Sequence, residues 1–170
     1  MNILYVVARA IEINTSASIR NHATIMGLIE NGHKVTIVSS EPDKNHATYD
    51  PNLTINKAEL VYFKLNGIQS LARLGRKWQF FKKIKPIIYP LLNRNEIYDN
   101  FKTITNYAAQ IDIEKFDLAI SSSDPKSSHL FIDRLFELSG KKIPWIQIWG
   151  DPFADDITRT RHNNTIKIEN

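Results

Sequence analysis

Cysteine is absent from this chain of 170 residues, which excludes a disulfide framework and any thiolate metal site. Glycine is scarce, with six in all, and none falls in the loop after the first apolar run. No apolar stretch approaches the ~20 residues that a membrane-spanning helix needs. The histidines (His22, His33, His46, His129 and His162) are scattered, without H-E-x-x-H spacing, so no metal and no cofactor is expected. No basic leader precedes the first apolar run, and the expected location is the cytoplasm.

What is present begins with an ordered opening. Ile3 to Ala8 (ILYVVA) is unbroken and apolar. A polar loop, Arg9 to Ser18, leads into a helical pattern that stops at Asn31-Gly32-His33. A second apolar run, Val35 to Val38, closes on Ser39 and Ser40. Neither run alternates with polar residues, so each strand is expected to be covered on both faces, as in a parallel sheet. Further strands are expected at Glu59–Phe63, Asp117–Ile120 and Trp145–Trp149. Helices are expected over Ser70–Lys85, Glu96–Ile111 and Lys126–Ser139, the last stopped by Gly140.

This alternation predicts one α/β domain: a three-layer, Rossmann-like unit with a doubly wound, mostly parallel sheet of order 3-2-1-4-5. In such a sheet ligands bind where the crossovers reverse direction, between strands 1 and 4. The loops placed there supply Asn14 to Ser18, Ser121 to Asp124, and Gly150 with Asp151.

The first loop is not a dinucleotide fingerprint. A G-x-G-x-x-G turn lets backbone approach a pyrophosphate, and Arg9 to Ser18 contains no glycine. Its hydroxyl and amide groups (Asn14, Thr15, Ser16, Ser18), with one acid and one base, suit a polyhydroxylated ligand or an anion at the helix start. Ser16 or Ser18 equally suits a helix cap.

The net charge of +4 is concentrated. Ile68 to Pro90 holds Arg73, Arg76, Lys77, Lys82, Lys83 and Lys85 with no acid, so the rest of the chain is net acidic. Trp78 and Phe81 interleave with these bases. The segment reads either as a basic amphipathic helix for an anionic membrane surface or as a helix packed by its apolar stripe with a solvated basic face. A single patch without a binding motif gives no ground for a nucleic-acid partner.

The opening unit NILYVV with Gly32-His33-Lys34-Val35-Thr36-Ile37-Val38 resembles the start of glycosyltransferases of the GT-B architecture, particularly family 4. Asp117-Leu118-Ala119-Ile120 with Ser122-Ser123-Asp124-Pro125, and Lys142 to Pro152, resemble later strands and loops of the same domain. The resemblance implies the acceptor-side half of an enzyme that moves a sugar from a nucleotide-sugar donor to a glycan or lipid-linked acceptor with retention. It also implies a second, donor-binding domain that this chain lacks. The expectation is therefore a single domain over residues 1–170, truncated and inactive alone, peripheral on the inner face of a membrane.

Under that resemblance Asp124 and Asp151 are the candidate catalytic carboxylates, with a helix cap and a turn residue as their plainer roles. Arg9, Asn14, Ser16, Ser18, His22 and Ser123 are the candidate acceptor-binding residues. Arg9 suits a phosphate, or is simply a solvated charge, and His22 is equally at home as a structural histidine. Arg73, Arg76, Lys77, Trp78, Phe81, Lys82, Lys83 and Lys85 are the candidate membrane contacts. Two other functions fit the same pattern: half of a GT-B-fold sugar epimerase, or a free-standing flavodoxin-like ligand-binding or interaction domain.

Overall fold

A computed structural model describes residues 1–64, 106–123 and 126–150. Its five strands are β1 (Asn2–Val7), β2 (Lys34–Ser40), β3 (Glu59–Phe63), β4 (Leu118–Ser122) and β5 (Trp145–Ile148). They form one sheet of order β3-β2-β1-β4-β5, with every neighbouring pair parallel. Helix α1 (Ser16–Glu30) joins β1 to β2, and α2 (Ser127–Ser139) joins β4 to β5. The Rossmann-like order expected from the pattern is the one observed. Flavodoxin-like sheets run 2-1-3-4-5 instead.

Both faces of the central strand β1 are covered. Ile3, Tyr5 and Val7 of β1 pack with Val35 and Ile37 of β2 and with Ile25 of α1. Leu4, Val6 and Ala8 pack on the other face with Phe131, Ile132, Leu135 and Phe136 of α2. Successive strand side chains point to opposite faces, so an unbroken apolar run is what a doubly covered strand requires.

Strand and helix ends depart from the apolar pattern for identifiable reasons. β4 runs on through Ser121 and Ser122, which pair with Val6 and Val7. The ladder joins backbone groups and does not need apolar side chains. β5 stops at Ile148, leaving Trp149 outside it. The α1 cap is neither Ser16 nor Ser18 but Thr15, whose hydroxyl accepts from the Ser18 N–H at 3.2 Å. At its far end, Gly32 takes φ +81°, Gly32 N–H donates to Ile29 O, and His33 N–H donates to Leu28 O. That pair of bonds is the Schellman closure, and the positive φ is why glycine stands there.

The expected helix over Ser70–Lys85 lies outside the described residues. So does most of the one over Glu96–Ile111, although Ala108 near its end is buried in the α2-side core. Among the described residues no helix is long and apolar enough to cross a membrane.

Phe131 has no exposed surface and is central to the α2-side core. Phe131→Ala is expected to lower the unfolding free energy by about 3–5 kcal/mol. Urea denaturation followed by circular dichroism measures it, and a loss below about 1 kcal/mol would contradict the packing described.

Candidate functional site

β1 carries its helix on one face and β4 carries its helix on the other. The two crossovers therefore leave the sheet in opposite directions, and the carboxyl ends of these strands are the switch point at which open α/β sheets form a ligand crevice. Three loops border it: Ala8–Thr15 after β1, Ser123 after β4, and Trp149–Gly150 after β5.

The first loop is tied down rather than open. Asn14 N–H donates to Thr48 O at 2.8 Å, and Asp50 N–H donates to Glu12 O at 2.8 Å. Ala10 N–H donates to Ser40 Oγ at 3.1 Å. Ala10, Ile11 and Ile13 are buried, which fixes the path of the loop. Glu12 is only 1% exposed. Tyr62 O–H donates to its Oε1, while Oε2 has no hydrogen-bond partner among the described residues. The acid of this loop is thus turned inward, away from the crevice.

Ser123 clasps the ends of β4 and β5. Its N–H donates to Ile148 O at 3.0 Å, and its Oγ accepts from Gly150 N–H at 3.0 Å. Its carbonyl accepts from Arg20 Nη2 of α1 at 2.9 Å. The Arg20 guanidinium covers Gly150 so closely that a Cβ there would lie 3.0 Å from both Nη1 and Nη2. Three elements therefore meet at one point.

A second network lies on the α2 side. Trp145 Nε1–H donates to Ser121 Oγ at 2.8 Å, and Ser121 Oγ lies 2.7 Å from His129 Nδ1. An indole N–H can only donate, so the Ser121 oxygen accepts from Trp145 and is at the same time hydrogen-bonded to the His129 ring. Ser121 is fully buried and already accepts from Trp145, so it is a brace and not a nucleophile. The His129 ring stacks on Trp149 with centroids 4.2 Å apart and planes at 29°. Lys126 Nζ stands 5.9 Å from the centroid of the same Trp149 ring. Trp149 is nevertheless 50% exposed, and its Nε1–H donates to Gln147 Oε1 at 3.0 Å.

The sequence candidates are distributed as follows. Arg9, Asn14 and Ser16 are exposed at the carboxyl edge. Ser18 is buried within the α1 cap, its Oγ 3.0 Å from Thr15 Oγ1. His22 is half-buried on α1. Ser123 is buried in the strand clasp. Asp124, Asp151 and the basic residues Arg73, Arg76, Lys77, Trp78, Phe81, Lys82, Lys83 and Lys85 lie outside the described residues. The sequence reading did not single out Arg20, His129 or Trp149 as site residues. Trp149 was readable as the residue closing the fifth apolar run. Nothing in the sequence brings Arg20 to Ser123, which lies 103 positions away.

The chain matches none of the family models, and none of the curated proteins with which it was compared.

Two phenols carry a pH consequence. Burial pushes Tyr5, whose O–H donates to Asn21 Oδ1, up to about 12. Burial, and then the hydrogen bond and charge of Glu12, raise Tyr62 as well. A tyrosine raised above its unfolded value of 10.0 holds its proton longer in the folded state. Its contribution is therefore intact below about pH 10 and is lost as pH climbs through the folded value. Stability is expected to fall between about pH 10 and 12, and Tyr5→Phe is expected to flatten that fall. Urea midpoints across this range measure it, and an unchanged slope in the variant would contradict the assignment.

Proposed function

We propose that this chain is the acceptor-binding half of a sugar transferase of GT-B architecture, passing sugar from a nucleotide donor to a glycan or lipid-linked acceptor with retention. One observation carries the reading. A half-exposed tryptophan, Trp149, stacks on His129 at the edge where an open α/β sheet receives ligands. The C–H face of a sugar ring packs on such an indole, and its hydroxyls reach the polar groups around it. The glycine-free, tied-down β1–α1 loop supports the reading from the other side. It offers no backbone cradle for a pyrophosphate, in keeping with donor binding by a separate domain.

In this reading the transfer develops positive charge on the sugar ring and negative charge on the leaving phosphate. The donor domain stabilises the leaving group. The crevice described here holds the acceptor so that one hydroxyl faces the donor carbon. Ser123 acts as a positioning residue, because it fixes the β4 and β5 loops relative to each other. Asp124 and Asp151, next to that clasp in sequence, are the proposed acceptors of the hydroxyl proton. The basic segment over residues 68–90 is the proposed contact with an anionic membrane, where a lipid-linked acceptor would be presented.

Binding of the full chain to an immobilised panel of oligosaccharides tests the acceptor role. Wild type is expected to bind at least one saccharide class, and Trp149→Ala to lose affinity by about tenfold or more. A chain that binds no saccharide, or a Trp149→Ala variant that binds as wild type does, would overturn the reading.

Flotation with vesicles of phosphatidylcholine, with and without phosphatidylglycerol, tests the membrane role. Reversal of charge at Lys82, Lys83 and Lys85 (each Lys→Glu) is expected to abolish binding to the anionic vesicles, at roughly 1 kcal/mol per basic residue. Unchanged flotation would remove the membrane from the proposal.

A further inference from the structure

Three surface ion pairs among the described residues lie away from the crevice. The ion pairs Lys115–Asp112, Arg134–Glu137 and Lys141–Glu114 involve residues that precede β4 or β5 or belong to the far end of α2, so they lie at the amino edge of the sheet. At the carboxyl edge two guanidinium groups have no carboxylate partner among the described residues. Arg9 stands exposed directly after β1. Arg20 donates from Nη2 to Ser123 O, a neutral carbonyl. The acid of the intervening loop, Glu12, does not neutralise them, because it is buried against Tyr62.

Arg20 is also held in place, unlike an ordinary surface arginine. Its guanidinium is fixed by the Ser123 carbonyl and rests on Gly150. A guanidinium has five N–H donors in a planar fork, and the carbonyl uses one. A fork whose other donors have no carboxylate among the described residues, fixed at the carboxyl edge of the sheet, matches the two oxygens of a phosphoryl or carboxylate group. Pre-orientation matters here, because a side chain that is already ordered loses less freedom when it binds.

We infer that Arg20, assisted by Arg9, is an oxyanion site, and that the crevice ligand carries a phosphoryl or carboxylate group. The inference deepens the proposed function and rests on the same crevice, but it concerns charge and does not depend on Trp149. Arg20 would hold the anionic group against Ser123 and Gly150, and the rest of the ligand would extend across the edge. Gly150 suits the site, because a Cβ there would lie 3.0 Å from Nη1 and Nη2 and press the guanidinium aside by a few tenths of an ångström.

Nuclear magnetic resonance titration of the full chain with inorganic phosphate, against sodium chloride of matched ionic strength, tests this. The Ser123 and Gly150 amides and the Arg20 side-chain N–H are expected to shift saturably with phosphate only. Arg20→Gln is expected to weaken the response at least about tenfold, and Arg20→Lys to weaken it less. Gly150→Ala changes no charge and is expected to weaken it too, which separates a built site from a general field. Arg9→Gln is expected to cause a smaller loss. Unfolding midpoints of all variants show whether each remains folded, and Arg20→Lys serves if Arg20→Gln does not.

Two further arms locate the source of the anion. Glycerol phosphate stands for a soluble ester, and phosphatidylglycerol in phosphatidylcholine vesicles stands for a lipid headgroup. An Arg20-dependent response to either supports the site and names its source. A wild-type response to phosphate, glycerol phosphate and anionic vesicles no greater than to chloride and neutral vesicles overturns it, as does an Arg20→Gln variant that responds like wild type. Failure of saccharide binding with phosphate binding intact would defeat the transferase reading alone. The reverse result would defeat only the oxyanion site.

Discussion

β1 is the constraint on which the rest depends. It is buried on both faces and hydrogen-bonded on both edges, pairing Ile3 with Val35 of β2 and with Leu118 of β4. Parallel neighbours cannot be joined by a tight hairpin, so the chain must cross over a face to return. Both faces of β1 are apolar, and each needs a covering layer. α1 covers one and α2 the other. The divergence of the loops above β1 and β4, and hence the crevice, follows from that demand.

The two edges of the sheet then take on different characters. At the amino edge, opposite charges meet and neutralise each other on the surface, where such pairs contribute little to stability. At the carboxyl edge, polar groups are spent on holding loops. Ser123 joins β4 to β5, Thr48 and Asp50 hold the first loop, and Tyr62 draws Glu12 inward. Arg20 of that edge donates to the neutral Ser123 carbonyl and meets no carboxylate among the described residues. The proposed ligand, ring-shaped and anionic, follows from an exposed indole beside guanidinium groups that have no carboxylate partner among the described residues.

The elements that could be read in advance were those whose physics is local. Ile3 to Ala8 announces a doubly covered strand because both of its faces are apolar. Asn31-Gly32-His33 announces a helix end because the closure needs a left-handed residue. Thr15 is not legible as the cap, because three hydroxyl residues crowd the same turn and only backbone geometry decides which one lies outside the helix. Ser121 and Ser122 look like loop and belong to β4, since strand pairing beyond an apolar run leaves no compositional trace.

The amino-acid sequence by itself determined the fold class and the strand order. Periodicity and stop signals act over a few residues, and the rule of right-handed crossovers supplies the rest. Only the tertiary structure decided which polar groups face the carboxyl edge. Glu12 looks available in the sequence and is withdrawn by Tyr62, 50 positions later. Arg20 looks like one more helix surface charge and is recruited by Ser123 and Gly150. Partners so far apart meet only after the sheet has assembled, so the side chains of a site at its edge are set by strand register and not by local pattern.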